Sequence, residues 1–339
     1  MTKIFDSTLR DGSHVVKHQF NEQQIEAYCQ AVDNAGLYVV IVGHGNGLGA
    51  SSINIGRSKL TDAEMLTVAK NNLKHTKLGV FMMPGYGTIK DDLEPAFSCG
   101  VELVCIASHC TEANIMHQHI EFAKKSGKET YGVLMMQHMI SDEELLVQAR
   151  LIESYGADGI ILMDSAGYSL PDKVYKRVAY LKENVGIDIG FHAHNNLGMA
   201  TANSYMAVKA GATIIDGTVQ GFGAGAGNCQ LEAICSVLKR EGMNVETDPY
   251  LLMDASQNIV SKFMEQGQGL GVPIECIVSG LAGVFSAYKI PIMKAAKQYA
   301  VDYKDIYMEL GRRQIVGGQE DMIIQVASEL AHIGNNHKG

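Results

Sequence analysis

The chain has 339 residues, a formal net charge of −9, 46% hydrophobic and 19% charged residues, and no tryptophan. That length buries a large core, either as one α/β barrel or as one large domain with an appendage. The negative balance and the lack of a basic stretch argue against a nucleic-acid partner; apolar runs too short to span a bilayer and a polar motif straight after the N-terminus argue against a membrane anchor or signal peptide.

Short β-rich runs alternate with longer segments of helical period. Lys3–Asp6 is the first run, and the polar segment Thr8–His14 follows it. A helix is expected over Asn21–Gly36, a strand over Tyr38–Val42, then the glycine-rich loop Gly43–Gly47 and a helix over Thr61–His75. Strands at Leu78–Met83 and Leu103–Ala107 flank a helix at Ile89–Cys99, and Glu112–Gly127 is helical. Gly132–Met136, Gly159–Met163, Asp188–His192 and Thr213–Gly217 complete the strands. Ser141–Gly156, Pro171–Val185, Met199–Gly211 and Asn228–Gly242 complete the helices of the repeat. Thr61 with Glu64, and Ser141 with Glu144, have capping-box spacing. Pro171 suits a first helical turn, and Gly36, Gly127, Gly156 and Gly211 suit helix ends.

Eight strand–helix repeats predict parallel strands closed into a (β/α)8 TIM barrel. After about residue 245 the alternation stops. The remainder reads as helices at Leu251–Gln266, Ile292–Ala300, Tyr303–Leu310 and Asp321–Ile333, with Gly267–Pro273 as a joint. The expected division is a catalytic barrel over residues 1–250 and a helical C-terminal region over residues 251–339. The seven cysteines contain no CxxC pair, and their number is odd. Buried free thiols in a reducing cytoplasm are expected.

Barrel enzymes carry their chemistry at the C-terminal ends of the strands. Arg10, Asp11 and His14 follow strand 1, His44 lies in the loop after strand 2, and Asp164-Ser165 ends strand 6. His192-Ala193-His194 ends strand 7, where residues i and i+2 share a face. Asp11, His192 and His194 therefore offer three ligands to one hard divalent ion with positions left open for substrate. Arg10 is a permanent cation suited to a carboxylate or an enolate oxygen. His14 titrates near neutrality and is the candidate general base. His44 is a candidate for support of the site or for substrate contact. The glycines Gly221, Gly223, Gly225 and Gly227 lack the order of a phosphate loop and read as tight packing. The set describes a metal-assisted lyase. Two histidines and a carboxylate also describe a non-haem iron oxygenase, which would leave Arg10 and His14 without work.

Several stretches resemble one family. Thr8–His14 (TLRDGSH), Gly43–Ser52 (GHGNGLGASS), Asp164–Gly167, His192–Gly198, Gly223–Glu232 (GAGAGNCQLE) and Glu309–Met322 (ELGRRQIVGGQEDM) are similar to segments of the 4-hydroxy-2-oxovalerate (4-hydroxy-2-oxopentanoate) aldolases. These belong to the TLRDG-type metal-dependent TIM-barrel aldolase and acyltransferase superfamily. The resemblance implies a class II pyruvate aldolase acting on a small 2-oxo acid. It implies Mn2+ (with Mg2+ or Co2+ as substitutes) on Asp11, His192 and His194, and His192 is also set against substrate. It implies that His14 takes the C4 hydroxyl proton, that Arg10 holds the pyruvate enolate, and that Ser165 contacts the substrate carboxylate or supports the site. It also implies an acylating aldehyde dehydrogenase partner in a hetero-oligomer, with the helical tail as assembly region. One departure stands out: Phe285 occupies a position where the family commonly has tyrosine, and Tyr288 is the candidate to replace that hydroxyl at the substrate. A Claisen-type acyl-CoA condensing enzyme or lyase of the same superfamily is the closest rival, which Ser13-His14 disfavours. A non-catalytic metal-binding scaffold is a third reading, which Arg10 and His14 disfavour.

Overall fold

The computed structural model describes residues 1–263 and 274–336. Eight parallel strands close in sequential order, β8 pairing with β1. The strands are β1 (Lys3–Asp6), β2 (Val39–Ile41), β3 (Lys77–Met82), β4 (Leu103–His109), β5 (Glu129–Met135), β6 (Gly159–Asp164), β7 (Asp188–Ala193) and β8 (Ile214–Gly217). Between and after them run α1 (Glu22–Val32), α2 (Asp62–Asn72), α3 (Glu94–Ser98), α4 (His117–Lys125), α5 (Asp142–Ser154), α6 (Pro171–Asn184), α7 (Ala200–Lys209) and α8 (Leu231–Arg240). The expected (β/α)8 barrel is the observed fold.

Period-2 alternation sorts the strand residues into two cores. Phe5, Val39, Ile41, Tyr131 and Ile214 fill the barrel interior. Their neighbours Ile4, Val40, Leu134 and Ile215 face the helices. Strands buried on both faces are continuously apolar, as here. A polar side chain inside the barrel therefore stands out. Asp216 and His192 are such residues, and they lie side by side in register on β8 and β7.

Local signals explain the helix starts. Thr61 and Glu64, and Ser141 and Glu144, exchange both capping-box bonds. Asn21 with Gln24 makes a third box that was not anticipated. Gly156, at φ +87°, ends α5. The helix expected over Ile89–Cys99 opens with a wide π-type turn at Ile89–Leu93 before α3. Pro95 has no N–H to return to Asp91, so the ordinary ladder cannot run through it.

Beyond α8 come α9 (Pro249–Asn258), α10 (Ile274–Ala282), α11 (Lys289–Tyr299), α12 (Tyr303–Arg312) and α13 (Asp321–Asn336). α9 packs on α1 and α8, and Leu252 and Ala255 join the barrel's outer core although they lie past residue 250. The last four helices share their own core around Ile292, Ile306, Tyr307, Leu310, Ile323 and Val326. α10 went unread because Ile274–Ala282 is short and nearly all apolar, with Glu275 its only charge, a run whose pattern alone does not tell helix from strand. The expected joint Gly267–Pro273, and the end of the helix expected to reach Gln266, lie outside the described residues. No helix among the described residues is long and apolar enough to cross a membrane.

Ser141→Ala removes one acceptor from the exposed start of α5 and should cost about 1 kcal/mol of stability. Urea unfolding would measure it; an unchanged midpoint would mean that Glu144 alone holds the helix start.

Candidate metal centre at the barrel rim

The segment after β1 turns back at once: Arg10 and Asp11 backbone N–H groups both return to the Ser7 carbonyl, at 3.0 and 2.7 Å. This tight turn sets Arg10 and Asp11 inside the rim, where each is nearly fully buried. At the end of β7, the shared face of residues i and i+2 aims His192 and His194 at the same place. Asp11, His192 and His194 each offer a ligand atom, and these atoms lie within 4.8 Å of one another.

Hydrogen bonds orient Asp11 and His192 in this cluster. Asp11 Oδ1 accepts from Arg10 Nη1 at 2.8 Å, and Oδ2 accepts from Asn228 Nδ2 at 2.7 Å and the Ala224 N–H at 3.0 Å. His192 Nδ1 donates to Asp216 Oδ2 at 2.9 Å. That bond leaves the Nε2 lone pair free, and Nε2 is buried without a partner among the described residues; so is Nδ1 of His194. Two orphaned imidazole nitrogens facing a held carboxylate fit a divalent ion. The glycine run after β8 is the packing surface for this arrangement. A Cβ on Gly223 would lie 2.5 Å from Asp11 Oδ2 and 2.6 Å from Asn228 Nδ2.

Electrostatics favour, for Asp11 and His194, the protonation states that a metal would require. Burial alone would raise the Asp11 carboxyl; Arg10, with His194, His14 and His192, overcomes this and holds it well below the usual carboxylate range. Burial pushes His194 down to about 4. His14 sits at the edge of the cluster, half-buried. Burial lowers its pKa, the attraction of Asp11 opposes that, and Arg10 adds to the lowering. Its ring lies 5.1 Å, edge-on, from His18, which stacks 3.6 Å from His44. Burial drives His18 to about 3 and His44 to about 4. His44 Nδ1 accepts from the Asn46 N–H at 3.0 Å, so its Nε2–H donates to the Gly56 carbonyl at 3.1 Å. His44 thus braces the loop under His14. Gly45 allows this contact, since a Cβ there would collide with the His14 ring.

Arg10 is clamped as well. Nη1 also reaches the Gly45 carbonyl at 3.3 Å, Nη2 reaches Ser7 Oγ at 3.4 Å, and the guanidinium lies 4.5 Å over the Phe81 ring. Nε has no partner among the described residues. Ser165 is fully buried, and its Oγ accepts from the Met136 N–H at 3.1 Å, tying the loop after β5 to that after β6. Asp164 beside it, raised to about 6 by burial, accepts from the Tyr168 and Ser169 N–H groups.

Tyr288 does not join the cluster, contrary to expectation. Its hydroxyl donates to the Val316 carbonyl at 2.5 Å and its ring packs in the C-terminal core, so it is committed to the tail. Phe285 packs edge-on against it at 6.1 Å. The tail touches the rim through Ser286 instead, whose Oγ accepts from Asn196 Nδ2 at 3.2 Å. Three contributors escaped the sequence reading: Ser7, Asp216 and Asn228. Asp216 had a legible signal, being the lone acid in the apolar run Thr213–Gly217.

Comparison with known proteins identifies the family. The HMGL-like family model matches residues 1–259, and a DmpG-like communication domain matches residues 272–332. The 4-hydroxy-2-oxovalerate aldolase of Spirochaeta aurantia is 47% identical over 335 residues, covering 98% of this chain and 97% of that one. The protein of the same name from Serratia proteamaculans (strain 568) is 50% identical over 330 residues, covering 96% and 97%. Among solved structures, the Y628A carboxyl transferase domain of Rhizobium etli pyruvate carboxylase superposes with a TM-score of 0.79 at 15% identity, over 99% of this chain and 62% of that one, a likeness of fold. The chain belongs to the 4-hydroxy-2-oxovalerate aldolase family, with an HMGL-like barrel and a DmpG-like communication domain.

Proposed function

We propose that this protein is a divalent-metal-dependent class II pyruvate aldolase, cleaving 4-hydroxy-2-oxo acids of the 4-hydroxy-2-oxopentanoate type to pyruvate and an aldehyde. The observation that carries the reading is the buried Asp11–His192–His194 group with Arg10 clamped against it and His14 at its edge. Asp11, His192 and His194 would hold the ion, Mn2+ by preference, with Mg2+ or Co2+ able to substitute. When bound, such an ion supplies Lewis-acid polarisation of the 2-oxo group.

The side chains do the rest. His14, neutral at physiological pH because burial disfavours its cation, takes the proton from the C4 hydroxyl. The C3–C4 bond then breaks, the aldehyde leaves, and the electron pair passes into the pyruvate enolate. Arg10, with its Nε–H unpartnered among the described residues and its charge permanent, stabilises the oxygen on which that negative charge develops. Protonation of the enolate carbon completes pyruvate. Ser165 supports the site by holding the loop after β5.

The helices from α10 onward serve as the assembly region, and the partner is an acylating aldehyde dehydrogenase that receives the aldehyde in a hetero-oligomer. The communication-domain match supports this, as do the exposed apolar side chains of Leu281, Ile290, Met308 and Ile324. Seven cysteines, none paired, suit a reducing compartment such as the cytoplasm.

Chelator-stripped protein should release pyruvate from racemic 4-hydroxy-2-oxopentanoate only after Mn2+ is restored; equal release without metal would refute the metal-dependent reading. His14→Ala should cut turnover by about 10²–10⁴-fold while metal still binds. In the intact protein kcat/KM should fall only as pH drops below 6.5, since protonating a base of lowered pKa is what removes activity, and the variant should lack that limb. Arg10→Ala should lower kcat by about 10²–10³-fold, whereas a rise in KM alone would reassign Arg10 to substrate binding. Phe285→Tyr should change the ratio in which the two C4 enantiomers are cleaved; an unaltered ratio would remove position 285 from stereocontrol.

A further inference from the structure

We propose that Asp216 is a positioning residue that ties the ligand His192 to Arg10 through Ser7, so that one buried carboxyl group sets both the metal side and the enolate side of the site. The inference rests on the aldolase reading above. Asp216 projects into the barrel interior, where the residue two before it on β8, Ile214, is part of an apolar core. An acid there is costly unless its oxygens are occupied. Both are occupied by groups of the site. Oδ2 accepts from His192 Nδ1 at 2.9 Å, and Oδ1 accepts from Ser7 Oγ at 2.8 Å. The Ser7 hydroxyl has given its one proton away, so its lone pair faces Arg10 Nη2 at 3.4 Å. Ser7, Arg10, Asp216 and His192 are each 0–3% exposed, so no bulk water competes for these bonds.

The register of the sheet builds this bridge. Asp216 pairs with His192 on β7 and with Phe5 on β1, and Ser7 follows β1 with its N–H on the Gly217 carbonyl at 2.8 Å. The closing seam of the barrel, β8 against β1, thus carries a continuous chain of contacts: Asp11, Arg10, Ser7, Asp216, His192. It begins and ends on a ligand of the same site. Two consequences are separable. The bond at Oδ2 keeps the proton on His192 Nδ1 and the lone pair on Nε2, pointing at the cluster. The bond at Oδ1 fixes Ser7, which fixes one arm of the guanidinium. Asp216 touches no reacting atom; it acts through both neighbours.

The test uses the full-length protein, stripped of metal and titrated with Co2+, alongside pyruvate release at saturating Mn2+. Asp216→Asn should weaken Co2+ binding about 10–100-fold and alter the visible spectrum of the bound ion. Ser7→Ala should leave the Co2+ affinity and spectrum as in the parent but lower kcat about tenfold with KM little changed, the loss expected of one hydrogen bond to a charged group. The double variant should have a kcat no lower than that of Asp216→Asn alone, because the two lie on one path. In the unaltered metal-free protein, 15N NMR of the imidazoles should find His192 protonated on Nδ1, a readout that stands even where a variant does not fold. An Nε2–H tautomer, parental Co2+ affinity in a folded Asp216→Asn, or a parental kcat in Ser7→Ala would overturn the proposal. Absence of pyruvate release by the parent would sink the aldolase reading by itself, while the Co2+ and tautomer measurements would still decide the role of Asp216 at His192.

Discussion

The contact on which the site depends is the ion pair between Arg10 and Asp11, adjacent in sequence, at 2.8 Å with both side chains only 3–4% exposed. Two charges taken out of water at the mouth of an apolar barrel are stable only if every remaining donor and acceptor is occupied. The rim can be understood as the set of groups that meets most of this demand, leaving only Arg10 Nε of that pair without a partner among the described residues. Asn228 and the Ala224 N–H hold the second oxygen of Asp11; Ser7, Gly45 and the Phe81 ring hold the guanidinium. Removing one member of such a pair leaves an uncompensated buried charge at a cost of about 3–5 kcal/mol. A loss of activity on substituting Arg10 or Asp11 is therefore interpretable only beside a measured stability.

The same pair organises the chemistry. It keeps Asp11 ionised beside His194, whose imidazole burial holds neutral. The cluster would offer a hard cation an anion and two imidazole lone pairs, with the permanent positive charge of Arg10 held on Oδ1 of the same carboxylate. The candidate base belongs to a second group of rings. His14, His18 and His44 pack on one another at the β1 and β2 loops, with His14 at the edge of the Asp11–His192–His194 cluster. On the proposed reading, proton transfer falls to His14 and metal binding to Asp11, His192 and His194.

Much of this was legible in the chain. His192-Ala193-His194 at a strand end and Arg10-Asp11 directly after β1 could be set on one rim because barrel topology brings all strand ends together, however far apart they lie in sequence. What escaped notice was whatever depends on direction. Asp216 is an acid in an apolar strand, but only the register with His192 shows what it meets. Asn228 ends a glycine run whose fold is set by close approach to Asp11, which no local pattern encodes. Tyr288 lies near Phe285 in sequence, yet its hydroxyl turns into the tail toward Val316. The short run Ile274–Ala282 is nearly all apolar, so its pattern does not separate a helix from a strand. The tail itself meets the rim at Ser286 on Asn196, at Gly280 beside Asn196 and Leu197, and at Gly283 beside His138. The communication-domain segment thus abuts the loops that carry the site.

The central claim is that Asp11, His192 and His194 together form the metal site of an aldolase rim, distinct from the histidines around His14. A crystal structure of the protein loaded with Mn2+ and pyruvate, with the ion located by its anomalous signal, tests this most directly. The account predicts one strong peak bonded to Asp11, His192 Nε2 and His194 Nδ1, with pyruvate between that ion and Arg10. A peak on His14, His18 or His44, or pyruvate bound away from Arg10, would contradict it.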